Sequence, residues 1–472
     1  MTLNIPFENT YAQLAPDFYT RQDPTPVKAP RLLAFNDGLG ELLGVQRAED
    51  AVLAEIFGGN AIPDGAAPLA QLYAGHQFGN YNPQLGDGRA VLLGEVVGSD
   101  GIRRDIQLKG SGPTPYSRNG DGRAWLGPVL REYVVSEAMH ALGIPTTRAL
   151  AAVATGETVW REGGLPGAVL TRVAKSHLRV GTFQIFAARG DAKALKTLTE
   201  YAIARHYPQA NGPMGLLRAV RDAQVELIAA WMSVGFIHGV MNTDNSSIAG
   251  ETIDYGPCAF MDVFHPNRVF SSIDRMGRYA YSNQPQIAVW NLAQLATALI
   301  QQFDDPEAVV EEATEIVHAM PEMIEAAWLR RFRAKIGITG AQEGDMELIT
   351  DLLGLMADGQ ADFTNTFRAL TTGGARDQFL APEQFEAWQQ RWTQRLADED
   401  SPQDTMARAN PVLIPRNHRI EQMIAAAVAG DFAPFERMMR ALATPFADEA
   451  EFADLRHPPA EDEVVKATFC GT

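Results

Sequence analysis

The stretch HGVMNTDNSSIAGETIDYG, residues 238–256, decides how this chain is read. His238 leads it, Val240 follows two positions on, Asn245 comes five further, and Asp254, Tyr255 and Gly256 close it. The run SSIAGETIDYG carries the apolar residues and central glycine of a short hairpin over 246–256, which predicts that Asn245 and Asp254 are brought together. An amide oxygen and a carboxylate are hard ligands that can hold a divalent cation against phosphate oxygens while leaving positions for water. Between an apolar strand and a glycine, Asp254 would be a costly buried carboxylate without such a partner.

This order is that of a kinase-like catalytic loop: a histidine, an aspartate two positions on, an asparagine five further, then a hairpin and an Asp-aromatic-Gly triplet. The departure is Val240, which stands at the place of the base, and an isopropyl group accepts no proton. Asp244, beside Asn245, is the nearest carboxylate able to activate a hydroxyl at a shifted position. The alternative for Asp244 is a turn aspartate within Asn-Thr-Asp-Asn.

Upstream, Lys109 ends an extended run, DIQLKG, and Glu132 follows 23 residues later, early in a segment of helical spacing. A strand lysine restrained by a helix glutamate is how a kinase-like site fixes an ammonium against nucleotide phosphates; a surface lysine and a solvated glutamate are the alternative. Arg172 and Arg179 flank LTRVAKSHLR, seven residues apart. They share a face if the intervening chain is helical, and otherwise can converge across a cleft to neutralise phosphate or simply meet solvent. In GDGRA, Gly86, Asp87, Gly88 and Arg89 combine glycines that admit close approach of backbone N–H groups with a guanidinium fork, although GDG is also an ordinary turn. Asp121 and Gly122 lie in a second glycine-rich loop, of the kind that covers a nucleotide or simply lies on the surface.

Around these motifs the chain alternates in a fixed order. AVLLGEVV and IRRDIQLK, joined by GSDG, predict a hairpin over 90–109. A helix over 128–142 ends at Gly143, with Pro145 beyond it. Two strands follow in 149–162 and 167–175, and from about Thr182 the text is mainly helical to the end. The expected fold class is α+β, with a cleft between unlike halves where ligands sit. The expected divisions are a partly helical wrapping arm over 1–60, a β-rich lobe over 61–180, a helical lobe over 181–335 and a helical extension over 336–472.

With 472 residues, 46% hydrophobic and 21% charged, the chain is long enough for more than one core and excludes wholesale disorder. Its 40 basic and 58 acidic residues leave a net charge of −18, with no basic run to reverse it locally, so nucleic acid is not an expected partner. No apolar stretch approaches a bilayer span and the first residues lack a signal-peptide pattern, so no membrane partner is expected and the cytoplasm is the expected compartment. Two cysteines, Cys258 and Cys470, are too few for a disulfide framework but enough for one pairing.

The segments GHQFGNYNPQLGDGRA, QLKGSGPTPYSR, SEAMHALGIPTTRAL, GVMNTDN and TIDYGP together resemble the selenoprotein O family, also called YdiU, from about residue 8 to the carboxyl terminus. That resemblance implies a protein-kinase-like two-lobe fold, with a β-rich N-lobe and a mainly helical C-lobe, and transfer of AMP from ATP to protein hydroxyls. The nucleotide would be flipped relative to kinases, exposing its α-phosphorus and releasing pyrophosphate. At the matching positions Gly86, Gly88, Arg89, Lys109, Asp121, Gly122, Arg172 and Arg179 would contact the nucleotide. Glu132 would pair with Lys109, Asn245 and Asp254 would hold Mg2+ or Mn2+, and Asp244 would accept the proton. Family members also carry a cysteine or selenocysteine near the carboxyl terminus, matched by Cys470, and some pair it with a cysteine after Asp-Tyr-Gly. Phe270 occupies the position aligned with that second cysteine and Cys258 stands earlier, in DYGPC, which makes a regulatory disulfide an open expectation. Two other function classes stand beside the transferase: a metal-dependent kinase-like phosphotransferase and a nucleotide-binding pseudokinase scaffold.

Overall fold

The computed structural model describes residues 3–469. One antiparallel sheet organises the first half, with strands in the order Tyr19–Arg21, Leu69–Gln71, Ala90–Val97, Arg103–Lys109, Gly164–Ala174, Arg148–Trp160 and Arg31–Phe35; the short strand Ala124–Trp125 pairs with Gly164–Ala174. The expected hairpin forms with Ala90 opposite Lys109 and Val97 opposite Arg103. Its turn is closed by a Gly101 N–H donating to the Gly98 carbonyl, 2.9 Å. The amino-terminal arm supplies both edge strands, Tyr19–Arg21 and Arg31–Phe35, so it is woven into the sheet rather than laid over it.

Strand periodicity divides the two faces of Arg103–Lys109 by chemistry. Ile106 and Leu108 point into an apolar core built with Leu39, Leu43, Leu53 and Phe57 from the helices Asp37–Leu43 and Asp50–Phe57. Asp105, Gln107 and Lys109 alternate with them and face the other way, toward polar partners. On that side the helix Leu126–Ala141 crosses the strands Arg148–Trp160 and Gly164–Ala174. It ends as expected, with Gly143 at φ 75°.

The second half is helical. The 22-residue helix Gly212–Ser233 packs against Gln284–Ile300 and Met320–Lys335, within one large apolar cluster that reaches across to the sheet side. The last helices, Asn417–Val428 and Ala433–Leu442, return to lie on Leu126–Ala141. There Phe435 meets Tyr133 with ring centroids 5.6 Å apart, and Arg131 pairs with Glu421. No helix of the described residues is long and apolar enough to cross a membrane.

One local expectation is corrected. Residues 246–256 do not pair with themselves as a hairpin. Ser247 bridges to Arg179 and Thr252 to Thr146, so this segment is held by two others. The strand pair lies outside it, Phe236–Ile237 with Ala259–Phe260, and brackets the whole loop. The alternation in SSIAGETIDYG reflects burial against neighbouring segments, which periodicity alone cannot tell from self-pairing.

Candidate active site

Lys109 Nζ lies 2.6 Å from Glu132 Oε2 and 2.6 Å from Asp254 Oδ1. The strand end thus meets both the sheet-side helix and the Asp-Tyr-Gly turn. Arg172, in the strand Gly164–Ala174, donates through Nη1 to Asp254 Oδ1 at 2.7 Å and to Glu132 Oε1 at 3.4 Å. Its Nη2 donates to Gln107 Oε1 at 2.7 Å and its Nε to His177 Nε2 at 3.2 Å. With every guanidinium nitrogen engaged and only 2% of the residue exposed, Arg172 holds Asp254 in place. Burial raises the Asp254 carboxyl, but Lys109, Arg172 and Arg179 outweigh it and hold it well below the usual carboxylate range. Asp254 sits at φ 63°, a left-handed conformation that costs a non-glycine residue and persists where its surroundings enforce it.

Arg179 precedes the helix Val180–Ala188; the intervening chain is not helical, so the two arginines converge instead of sharing a face. One Arg179 nitrogen donates to the His177 carbonyl, 2.9 Å. Its Nε is buried without a partner, and Nη2 stands 3.7 Å from Asp87 Oδ1 and 3.9 Å from Asp254 Oδ2. The guanidinium lies 4.4 Å over the Tyr73 ring. A buried cation with a spare donor is prepared to receive an anion.

The loop that carries Asp244 is built on His238. Val240 N–H donates to His238 Nδ1 at 3.3 Å, and Nε2, which therefore bears the proton, reaches the Ile253 carbonyl at 2.8 Å. Burial lowers this imidazole's pKa, consistent with a neutral ring stacked on Trp231. His238 thereby ties the Asp244 loop to the strand before Asp254. Asn245 Nδ2 donates to the Val240 carbonyl at 3.0 Å, which turns the amide oxygen away from the loop. Asp244 accepts from Gln77 Nε2 at 2.9 Å through Oδ2, while Oδ1 is buried without a partner. Burial pushes its pKa up to about 6, against the opposing Gln77 hydrogen bond.

Asp244, Asn245, Asp254, Lys109, Arg172 and Arg179 line one cavity of about 460 Å³ together with Gly86, Gly88, Arg89, Asp121, Gly122 and Val240. Glu132 lies directly behind Lys109. Gly86 is at φ 123°, and a Cβ there would fall 2.5 Å from the Tyr116 ring, so the turn needs glycine. Asp121 is not free: Arg161 binds both its oxygens, at 2.9 and 3.0 Å. A larger open groove of about 810 Å³ beside the helix Gly212–Ser233 carries an exposed Arg218–Glu312 pair, Asp222 and His206, with a single cationic arginine where the other cavity has several.

A family model described as "Protein adenylyltransferase SelO" matches residues 1–443. The chain belongs to that family. Proteins named Protein nucleotidyltransferase YdiU from Ruegeria sp. (strain TM1040), Ruegeria pomeroyi and Roseobacter denitrificans are 81%, 71% and 68% identical to it, over 100% of both chains in each case. The SelO family is thus shown over nearly the whole length, with ATP as the substrate that adenylyl transfer implies.

Several residues around the SelO cavity have parts that the motifs alone do not reveal. Asp87, within GDGRA, is buried and accepts from Gln71 N–H at 3.1 Å and Gln107 Nε2 at 3.0 Å, with Arg179 close by. His177 links Arg172 to Asp105, its Nδ1 2.9 Å from Asp105 Oδ2. Arg161 and Tyr73 line the cavity without any motif of their own, and Gln77 lines it from within GHQFGNYNPQLGDGRA. The signal available for Gln107 and Asp105 was strand alternation with Lys109.

The described residues fit a divalent cation in one arrangement. They contain no cluster of three or more His, Cys, Asp or Glu side chains. What remains is the Asn245 amide oxygen and Asp254 Oδ2, neither with a hydrogen-bond partner among the described residues. Two hard oxygens suit an ion that completes its shell with water and phosphate. Cys258 is buried, and burial pushes its thiol up to about 12; Cys470 lies outside the described residues. Phe270 is buried, its carbonyl accepting the Thr468 N–H at 2.7 Å.

Proposed function

We propose that this chain transfers AMP from ATP to serine, threonine or tyrosine hydroxyls of proteins in the cytoplasm, in a cleft arranged as in a two-lobe protein-kinase-like fold. The matching divisions are an arm over 1–60, an N-lobe over 61–180, a C-lobe over 181–335 and an extension over 336–472. One observation carries the reading: phosphate-binding cations, two hard oxygen donors and an orphaned carboxylate share one cavity in which the kinase base position is Val240.

In the reaction the acceptor hydroxyl oxygen attacks the α-phosphorus, an O–P bond forms, the bond between the α-phosphorus and the β-bridging oxygen breaks, and pyrophosphate leaves. Asp244 takes the hydroxyl proton; burial raises its pKa to about 6, toward the neutral range in which a general base works best. Lys109, restrained by Glu132, and Arg179, with its spare donors, bind phosphate oxygens. Arg89 and the Gly86–Gly88 turn add further contacts, and Gly122 with Asp121 forms part of the covering loop, fixed by Arg161. Arg172 acts on the nucleotide mainly by positioning Asp254. Asn245 and Asp254 would hold Mg2+ or Mn2+, which when bound would neutralise triphosphate charge.

Incubation with ATP labelled separately at the α and γ phosphates tests the reading. Label from the α position on protein, with release of pyrophosphate, is expected. Label from the γ position would instead establish a kinase-like phosphotransferase, and retained ATP binding with neither label would establish a scaffold. Because the relatives' printed name is the broader nucleotidyltransferase, the other α-labelled ribonucleoside triphosphates belong in the same series.

A further inference from the structure

Beside its charged groups the cavity is lined by Phe78 and Ile273. Ile273 is 56% exposed and Met276, three positions on, 92%. Such side chains offer nothing to phosphate oxygens; the partners they can take are the nucleotide base or an apolar group of the polypeptide that brings the hydroxyl. Singly exposed apolar residues need no explanation, but Ile273 stands on a fixed mount and lines a reactive site.

The mount is a series of turns over 271–280. Asp274 N–H donates to the Ser271 carbonyl at 3.1 Å, Gly277 N–H to that of Asp274 at 3.3 Å, and Ala280 N–H to that of Gly277 at 3.1 Å. The buried Asp274 carboxylate accepts the N–H groups of Arg278 and Tyr279 at 2.9 and 2.8 Å. At one end Ser272 N–H donates to the Thr468 carbonyl at 3.0 Å. At the other, Tyr279 Oη donates to Asn242 Oδ1 at 2.6 Å, two residues before Asp244. The same Asn242 oxygen accepts Phe78 N–H at 3.1 Å. Phe78 is held at φ 52°, a conformation that an aromatic residue adopts only where its surroundings enforce it. Both apolar residues are therefore fixed relative to the Asp244 loop.

We propose that Ile273 and Phe78 seat an apolar side chain of the polypeptide that presents its hydroxyl to Asp244, so that the site selects acceptors with Leu, Ile, Val, Met or Phe close to the modified residue. This rests on the transferase reading above. A compact cavity of about 460 Å³ is on the order of 8 Å across, which two or three extended residues span. The selected side chain thus falls within about three positions of the acceptor. The occupant is an acceptor chain because Ile273 lines the cavity that holds Asp244 while more than half exposed to solvent, where an incoming polypeptide meets it before an enclosed base would.

The test is a peptide library with one fixed central serine, threonine or tyrosine and degenerate flanks, labelled with α-labelled ATP by wild type and by Ile273→Glu. Wild type is expected to favour apolar over polar residues at one flanking position by about tenfold in kcat/KM. Ile273→Glu is expected to lose that preference and to favour Lys or Arg at the same position. Being a ratio within one enzyme, the selection is not moved by a general loss of activity. Flat flanking selection in wild type, or selection unchanged in Ile273→Glu, overturns the proposal while leaving the transferase reading intact. Concentration-dependent self-association abolished by Ile273→Glu, with flat selection, assigns the patch to a second copy of the chain and overturns it too. Absence of α-label from every peptide and every protein overturns the transferase reading, and this inference with it.

Discussion

Gly75 pairs with Asn82 in the small hairpin of Gly75–Gln77 and Asn80–Asn82, and its missing side chain faces Asp244. A Cβ built there would lie 2.6 Å from Asp244 Oδ1, 2.9 Å from its Cβ and 3.0 Å from its Cγ. Gly75 is not in the left-handed region, so alanine brings no backbone strain. The whole effect of Gly75→Ala therefore falls on the carboxylate, which must withdraw by about 0.8 Å to reach the 3.4 Å of ordinary contact. A misplacement of that order at a reacting group costs roughly 100-fold in rate, about 2.7 kcal/mol in barrier. Gly75→Ala is expected to lower kcat for α-label transfer by about two orders of magnitude with KM for ATP changed less than about threefold. In an Asp244→Asn background the same substitution should add little, since the two changes act on one group. Gly354→Ala is the control: it has open space inside the helix Asp345–Asp358, and should stabilise by about 0.5–1 kcal/mol with no change in rate. Wild-type kcat in Gly75→Ala at an unaltered melting temperature would refute the assignment of Asp244 as proton acceptor.

Asp254→Asn keeps the shape and tolerates φ 63°, so the fold should survive; transfer should fall below about 1% of wild type as a charged ligand and the partner of Lys109 are lost. Circular dichroism and α-label incorporation on the same preparation separate the two effects. Arg161→Ala frees the exposed Asp121 and loosens the loop, which should raise KM for ATP by a few-fold at unchanged kcat, an exposed ion pair being worth about 0.2–1 kcal/mol; an unaltered KM in initial-rate measurements would remove Arg161 from the site. Lys335 is buried, bonded to Asn410 Oδ1 at 2.9 Å, with burial lowering its pKa from 10.5 to about 7. Between those values the unfolded chain carries a proton that the folded one lacks, so the unfolding free energy should rise with pH by up to about 1.4 kcal/mol per unit. Lys335→Met should abolish that rise, read as the wild-type-minus-variant difference in urea midpoint at pH 7.5 and 9.5.

What was legible in the sequence follows the range of the forces involved. The hairpin with its GSDG turn, the helix ending at Gly143 and the helical character after about Thr182 are set by contacts a few residues apart, and spacing reveals them. Lys109 and Glu132 were legible as a pair because strand and helix are adjacent in the chain. Arg172 was expected as a phosphate contact, yet its partners come from four separate segments, and those fix it as the support of Asp254. The self-paired hairpin at 246–256 fails for the same reason: Ser247 and Thr252 take their bridges from Arg179 and Thr146, which local alternation cannot distinguish from self-pairing. Arg161 gave no signal, and Gln77 stood in a quoted segment without a role, since each acts through one side chain placed by tertiary contacts alone.

A chain of net charge −18 can hold a triphosphate because the cavity inverts that balance. Arg89, Lys109, Arg118, Arg123, Arg161, Arg172 and Arg179 line it, against Asp87, Asp121, Asp244 and Asp254, seven cations to four carboxylates. The cations divide by their partners. Arg161 is held by Asp121, Arg172 by Asp254 and Glu132, and Arg123 by the carbonyls of Thr25 and Pro26. Arg89 and Arg118 have no side-chain hydrogen-bond partner among the described residues, and Arg179 keeps an unused donor. The bound cations fix the walls, and the unbound ones supply the positive potential that a polyanion meets in a low-dielectric cleft. Carboxylates are not wasted in this scheme: without Asp87 and Asp254, the buried Arg172 and Arg179 would repel each other at close range, and neither would hold its place before nucleotide arrives.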